Sequence, residues 1–157
     1  MNIRLITIGK TNSDWLIKGI TEYKNRLSHY TNFEIIEIPD IKNKATLSIE
    51  KLKEAEQTEI EKYISKDACI IALDEHGKEH TSEEFSVFLQ KKMIAGTRQL
   101  IFIIGGAFGI SSKILDTCND KIALSLMTFS HQMVRLIFVE QLYRGFTIMK
   151  NEKYHHK

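Results

Sequence analysis

Proline is nearly absent: Pro39 is the only one in 157 residues. Low-complexity stretches, internal repeats and long linkers are missing as well, so a single domain over residues 1–157 is expected. Cysteine is almost as scarce. Cys69 and Cys118 are too few for a disulfide framework, and neither belongs to a C-x-x-C pair. Cys69, inside the run ACIIAL, reads as a small buried hydrophobe. No apolar run, such as residues 100–104, approaches the length that crosses a bilayer. The opening MNIRLITIGK alternates like a strand and lacks the apolar stretch and cleavage site of a signal peptide, so a cytoplasmic location is expected. Neither sign of charge dominates. The net +2 at pH 7 permits an RNA partner without demanding one. No acidic or cysteine cluster completes a metal site around the histidines, and His76 and His80 straddle a glycine turn; no metal is expected.

What is present is a globular composition, 43% hydrophobic and 27% charged, arranged as alternating strand and helix signals. Residues 3–8 read as a strand ending at Gly9. Ser13 then suits the cap of a helix with Leu16, Ile20, Tyr23 and Leu27 at helical spacing. Residues 33–38 form a second strand, stopped by Pro39. A broken helical stripe (Ile49, Leu52, Ala55, Ile60, Tyr63, Ile64) crosses a highly charged segment, and residues 68–73 follow as a buried strand. Thr81 and Glu84 make a capping box for a helix with Phe85, Phe88, Leu89 and Met93 inward, closed by Gly96. A fourth strand spans 99–104, a short helix 112–118, a fifth strand 122–126, and a long helix about 130–149. Five apolar strands separated by helices predict an α/β domain: a mainly parallel sheet with helices on both faces.

In such sheets ligands sit beyond the carboxyl ends of the strands. Three ends stand out: 73–78, 104–109 and 124–129. The glycine loop Gly105-Gly106-Ala107-Phe108-Gly109 matches neither a Walker loop nor G-x-G-x-x-G. It fits a ligand site or simply a tight strand-to-helix turn. The stretch Leu124, Ser125, Leu126, Met127, Thr128, Phe129 is apolar where loops are normally polar. It suits a flat heterocycle such as adenine, or it continues the fifth strand.

His131 and Arg135 are one helical turn apart and share a face, whereas Glu140 and Arg144 lie on roughly the opposite side as an intrahelical ion pair. An unpaired arginine is costly to bury, so Arg135 is either paired or pointed at a ligand or partner. Met133, Val134, Leu136, Ile137, Val139 and Tyr143 leave this helix apolar nearly all round, which suggests a subunit interface. The tail 151–157 mixes Tyr154 with histidines and lysines; it can stack on a base and meet phosphate, or fray.

The segments IIGGAFGI, LSLMTFSHQMVR, EQLYRGFTIM and YHHK, with LITIGK, IIEIPD and LDEHGK ahead of them, resemble the RlmH family of SPOUT-class enzymes over the whole chain. The resemblance implies a C-terminal trefoil knot, a homodimer and the cofactor S-adenosyl-L-methionine. It also implies methylation of N3 of a pseudouridine in 23S ribosomal RNA, on the assembled ribosome. It places the cofactor against Leu73, Gly105, Leu124, Ser125, Leu126, Met127, Thr128 and Phe129. His131, Arg135, Tyr154 and His155 become the catalytic candidates, the tail completing the active site across the dimer. Members usually carry proline where this chain has Ser130; serine serves as an N-cap instead. That exchange leaves the helix start intact and is expected to loosen the loop and weaken cofactor binding.

Methyl transfer to an imide nitrogen needs donor and acceptor held in line and a proton removed. His131 or His155 can take that proton. Arg135 can stabilise a developing oxyanion or bind phosphate. Two other readings compete: a cofactor-free RNA- or ribosome-binding module, and a nucleotide-binding oxidoreductase, against which the missing early glycine fingerprint counts.

Overall fold

The computed structural model describes residues 1–155; His156 and Lys157, the end of the tail, lie outside the described residues. Five strands alternate with five helices: β1 (Asn2–Ile8), α1 (Asp14–Leu27), β2 (Asn32–Ile38), α2 (Ile49–Glu61), β3 (Cys69–Glu79), α3 (Ser82–Ile94), β4 (Gln99–Ile104), α4 (Ser112–Thr117), β5 (Asp120–Ala123) and α5 (Met133–Met149). A single 3-10 turn, Lys44–Thr46, precedes α2. The strands form one sheet in the order β2-β1-β4-β3-β5, and every neighbouring pair is parallel. The α/β class with a parallel sheet is as expected.

Alternation along the strands explains the layering. Successive side chains point to opposite faces, so a strand buried on both sides reads as a continuous apolar run. On β4, Leu100, Phe102 and Ile104 join one core while Ile101 and Ile103 join the other. The first core includes Ile20 of α1, Phe85 and Leu89 of α3, and Phe138, Val139, Leu142 and Phe146 of α5. The second holds Ile60 of α2 and Ile114 of α4. Helices therefore cover both faces, three on one and two on the other.

Local chemistry sets the helix ends. Thr81 Oγ1 accepts from Glu84 N–H at 3.1 Å, while the Glu84 carboxylate accepts from Thr81 N–H at 2.8 Å, the capping box expected. Ser13 stands at the N-cap of α1 without a side-chain cap bond. Met93 is not inward: it is 41% exposed, and the buried positions of α3 are Phe85, Ser86 and Leu89. Among the described residues no helix is long and apolar enough to cross a membrane.

Two boundaries differ from expectation in ways that matter for function. β5 stops at Ala123 rather than continuing to 126, so residues 124–132 are free to form a loop. β3 does not end at Leu73. Leu73 and Lys78 both align with Ile122 of β5, so residues 74–77 leave the ladder and the strand then resumes to Glu79. Gly77 makes the return possible: a Cβ there would sit 2.6 Å from the Ile122 backbone nitrogen.

Candidate active site

The ends of β4, β3 and β5 are adjacent in the sheet, and a cavity of about 440 Å³ opens beyond them. That lies within the range of about 300–1,000 Å³ usual for small-molecule sites. Each strand end supplies one wall. The excursion after β3 contributes Leu73, Asp74 and Glu75. The Asp74 carboxylate accepts from His76 N–H at 3.0 Å, which turns the chain sharply and fixes this wall.

The glycine loop after β4 forms the second wall, from Ile104 to Ile110. Gly109 N–H donates to the Gly106 carbonyl at 3.1 Å and closes a tight turn. Gly105 faces that turn so closely that a Cβ would lie 2.5 Å from the Gly109 carbonyl carbon. Such a contact cannot be relieved by a side-chain rotation, because both parties are backbone. Behind the loop, the buried Glu56 of α2 meets the Gly106 N–H; burial raises its pKa, and that bond pulls the other way.

The third wall is the loop after β5, with Leu124, Ser125, Met127, Thr128, Phe129, Ser130 and His131, followed by Val134 of α5. Ser125 Oγ accepts from Met127 N–H at 2.9 Å, bending the loop at its start. At its end, Ser130 Oγ accepts from Met133 N–H at 3.2 Å and the Ser130 carbonyl accepts from Val134 N–H at 3.0 Å. Serine thus performs the capping function expected of it ahead of α5. Gln132 ties this wall to the β1–α1 connection, accepting from Asn12 N–H at 3.1 Å and donating to the Lys10 carbonyl at 3.0 Å. The cavity therefore offers apolar surface, three hydroxyls, two carboxylates and one imidazole.

Of the residues singled out in the sequence, Leu73, Gly105, Leu124, Ser125, Met127, Thr128, Phe129 and His131 meet around this one cavity. Leu126 is 90% exposed and does not line it. Burial first, then the Arg135 guanidinium, hold the His131 imidazole below the ordinary histidine range, so it is neutral at pH 7. Arg135 does not line the cavity; it is buried and paired, one of the two alternatives open in the sequence. His131 lies in the turn that leads into α5, where Gln132 already has helical dihedrals; its side chain lines the cavity, and that of Arg135 does not.

Tyr154 and His155 are brought to a different place. Tyr154 Oη donates to Glu140 at 3.0 Å, lies 3.0 Å from Tyr23 Oη, and sits under the Arg144 guanidinium at 4.8 Å. His155 Nε2 is 3.0 Å from a Glu83 carboxylate oxygen. Glu140 and Arg144 form the expected intrahelical pair at 2.6 Å. Glu152 accepts from Tyr30 Oη at 2.6 Å, so the tail up to His155 is docked on α1, α3 and α5 rather than frayed. The apolar circumference of α5 is partly satisfied within the chain: Leu136 is the side chain a Cβ at Gly19 of α1 would meet, at 3.0 Å, and Val134 faces the cavity.

Sequence reasoning missed Ile110, Ile122, Ser130 and Val134 as lining residues. Asp74 and Glu75 lie in the strand end 73–78 that stands out in the sequence, but nothing in a period-2 pattern marks a strand that leaves its ladder and returns. Among the described residues no group of three or more His, Cys, Asp or Glu could hold a metal ion.

Known proteins resemble this one along its length. The family model described as "Predicted SPOUT methyltransferase" matches residues 1–155. The ribosomal RNA large subunit methyltransferase H of Parabacteroides distasonis is 50% identical over 157 residues, covering all of both chains. The protein of that name from Flavobacterium johnsoniae is 52% identical, again over the whole of both. Among solved structures, a "probable methylase family protein" from Haemophilus influenzae Rd KW20 superposes with a TM-score of 0.53 at 15% identity, over 99% of this chain and 71% of that one. At that identity the likeness speaks to the fold alone.

Proposed function

The chain belongs to the SPOUT methyltransferase family, and on that premise we propose that it methylates large-subunit ribosomal RNA from S-adenosyl-L-methionine. The observation that carries the reading is convergence. Three separated segments, each singled out in the sequence, wall one cavity of about 440 Å³.

The residues fit the cofactor. Gly105 lets the glycine turn close tightly on the end of β4 to form a wall, and the apolar residues Leu73, Leu124 and Phe129 suit an adenine ring. Backbone groups of residues 124–129 and the hydroxyls of Ser125 and Thr128 supply polar partners, and Asp74 and Glu75 balance positive charge. When bound, S-adenosyl-L-methionine supplies a methyl group on a sulfonium, electrophilic without further activation. The protein's task is then to exclude water, orient the acceptor and receive one proton. His131 is the imidazole at the cavity, and its depressed pKa keeps it free to take that proton at neutral pH.

The acceptor we propose is N3 of a pseudouridine in 23S ribosomal RNA, with the assembled ribosome in the cytoplasm as the substrate. The N3–H bond would break with its proton passing to His131, and the nitrogen would bond to the methyl carbon as the sulfur–methyl bond breaks, its electron pair remaining on a neutral thioether that leaves. Tyr154 and His155, docked away from their own chain's cavity, would reach a site only on a second copy, which makes a homodimer part of the proposal. A SPOUT-type trefoil knot in the C-terminal half is a further part of it.

The test is methyl transfer. The protein is incubated with radiolabelled S-adenosyl-L-methionine and ribosomes lacking the modification, and the label is mapped. The expected result is stoichiometric label in 23S RNA at one pseudouridine. Ribosome binding without transfer, by a protein that does not bind the cofactor, contradicts the reading and supports a cofactor-free binding module instead.

A further inference from the structure

Among the described residues Arg135 is the largest fully buried side chain, 1% exposed, and it links the cavity wall at His131 to the end of β1. Its hydrogen bonds run to two different segments. Nε donates to the His131 carbonyl at 3.0 Å, in the wall itself. Nη2 donates to the Ile8 carbonyl at 2.6 Å, and Nη1 to the Gly9 carbonyl at 3.0 Å and Thr11 Oγ1 at 3.1 Å. Glu37, at the end of β2, lies 3.6 Å from Nη1 and also accepts from the Thr11 N–H and hydroxyl, each at 2.7 Å.

This arrangement is expensive unless it does something. Burying a guanidinium costs several kcal/mol of solvation, and a leucine or methionine would fill the space without that cost. What a hydrocarbon cannot do is satisfy carbonyls of two segments at once. A planar fork with five N–H groups can, and the four bonds above occupy most of it. The same bonds leave little donor capacity for an oxyanion or a phosphate. The nearby Gln132 bridge to Asn12 and Lys10 joins the same two segments, so the coupling is doubled at this point.

We infer that Arg135 is a positioning residue: by clamping the His131 carbonyl to the carboxyl end of β1 and to the Thr11–Glu37 pair, it sets the third wall of the cavity and hence its affinity for the methyl donor. It acts through His131 and the loop rather than by touching the reacting atoms. The inference rests on the reading of the cavity as a methyl-donor site.

The test uses the full-length protein with Arg135→Lys and Glu37→Gln. Three quantities are read: the Kd for S-adenosyl-L-methionine, the methylation rate at saturating donor, and backbone amide exchange. Arg135→Lys keeps the charge but cannot bridge both segments. It should weaken donor binding about tenfold or more, as a small displacement of a binding wall does, while saturating donor restores most of the rate. Amide exchange should rise together in residues 9–12 and 131–134. Glu37→Gln should shift the Kd in the same direction by a smaller factor.

An unchanged Kd with a rate at saturation reduced about 100-fold would make Arg135 catalytic and overturn the inference. Faster exchange confined to residues 131–134, or a lowered Tm with the parent Kd, would overturn it as well. Should Arg135→Lys fail to fold, Glu37→Gln and Thr11→Val decide, since the parent Kd in both contradicts the clamp. A parent protein that does not bind S-adenosyl-L-methionine sinks the methyl-donor reading separately, and the exchange pattern still tests the coupling.

Discussion

The cavity beyond β4, β3 and β5 and the docked tail after α5 are the two regions that gather the chemistry-bearing residues, and they are built in different ways. The cavity is made of backbone. Its walls are a strand excursion returning at Gly77, a glycine turn packed against Gly105, and a loop bent by Ser125 and capped by Ser130. The tail cluster is made of side chains: Tyr154 on Glu140 and Tyr23, Arg144 over Tyr154, His155 on Glu83, Glu152 on Tyr30. A backbone-walled site is rigid and intolerant of added volume. A site held by half-exposed polar side-chain contacts can be released without rebuilding the backbone. The difference suits a division of labour, with a fixed cofactor pocket and a tail that can be handed to another surface.

That contrast makes its strongest prediction at Gly105. Gly105→Ala places a methyl against the Gly109 backbone, so donor affinity should fall by about 100-fold, read by calorimetry, while the rest of the sheet stays folded. Retention of parent affinity would mean the glycine turn is not a wall of the site. His155→Ala sharpens the other side. It should slow methyl transfer by about tenfold or more with donor affinity within about twofold, because the tail does not line its own cavity. A loss of donor affinity instead would merge the two regions into one.

The pH dependence separates them further. His131 is held below the ordinary histidine range by burial and by Arg135, so the rate should stay level on acidification through about pH 6.5 and fall only below it. Stability follows the same sign. The unfolded chain protonates this histidine more readily than the folded one, so the folded state loses stability as pH falls below about 6.5. His131→Asn should flatten both profiles. A rate that falls with an ordinary histidine value would shift the proton acceptor elsewhere. The smallest effect is expected at the loop's end. Ser130→Ala removes the hydroxyl that accepts from Met133 N–H and should cost about 1 kcal/mol in thermal unfolding. Ser130→Pro should hold the loop more firmly and leave donor affinity the same or higher.

The cavity was legible because a rule of topology finds it: ligands bind where parallel strands end, and the apolar runs that end at Leu73 and Ile104 and begin the segment at Leu124 are visible as letters. Leu126 shows the limit of that rule, since loop residues alternate between cavity and solvent according to local turns such as the one at Ser125. Arg135 shows another. Its helical spacing from His131 implied a shared face, yet only His131 lines the cavity, while the Arg135 guanidinium is buried against the end of β1. The partners that fix Arg135, at Ile8, Gly9, Thr11 and Glu37, are about a hundred residues away in sequence and carry no periodic signal. Nor does any local pattern announce that Tyr154 will rest on Glu140 and Tyr23, because packing among α1, α3 and α5 chooses those partners.

The most direct test of the central claim is isothermal titration of the folded protein with S-adenosyl-L-methionine. The account predicts saturable binding at one site per subunit, weakened about 100-fold in Gly105→Ala. Absence of binding by a protein that melts cooperatively would contradict it.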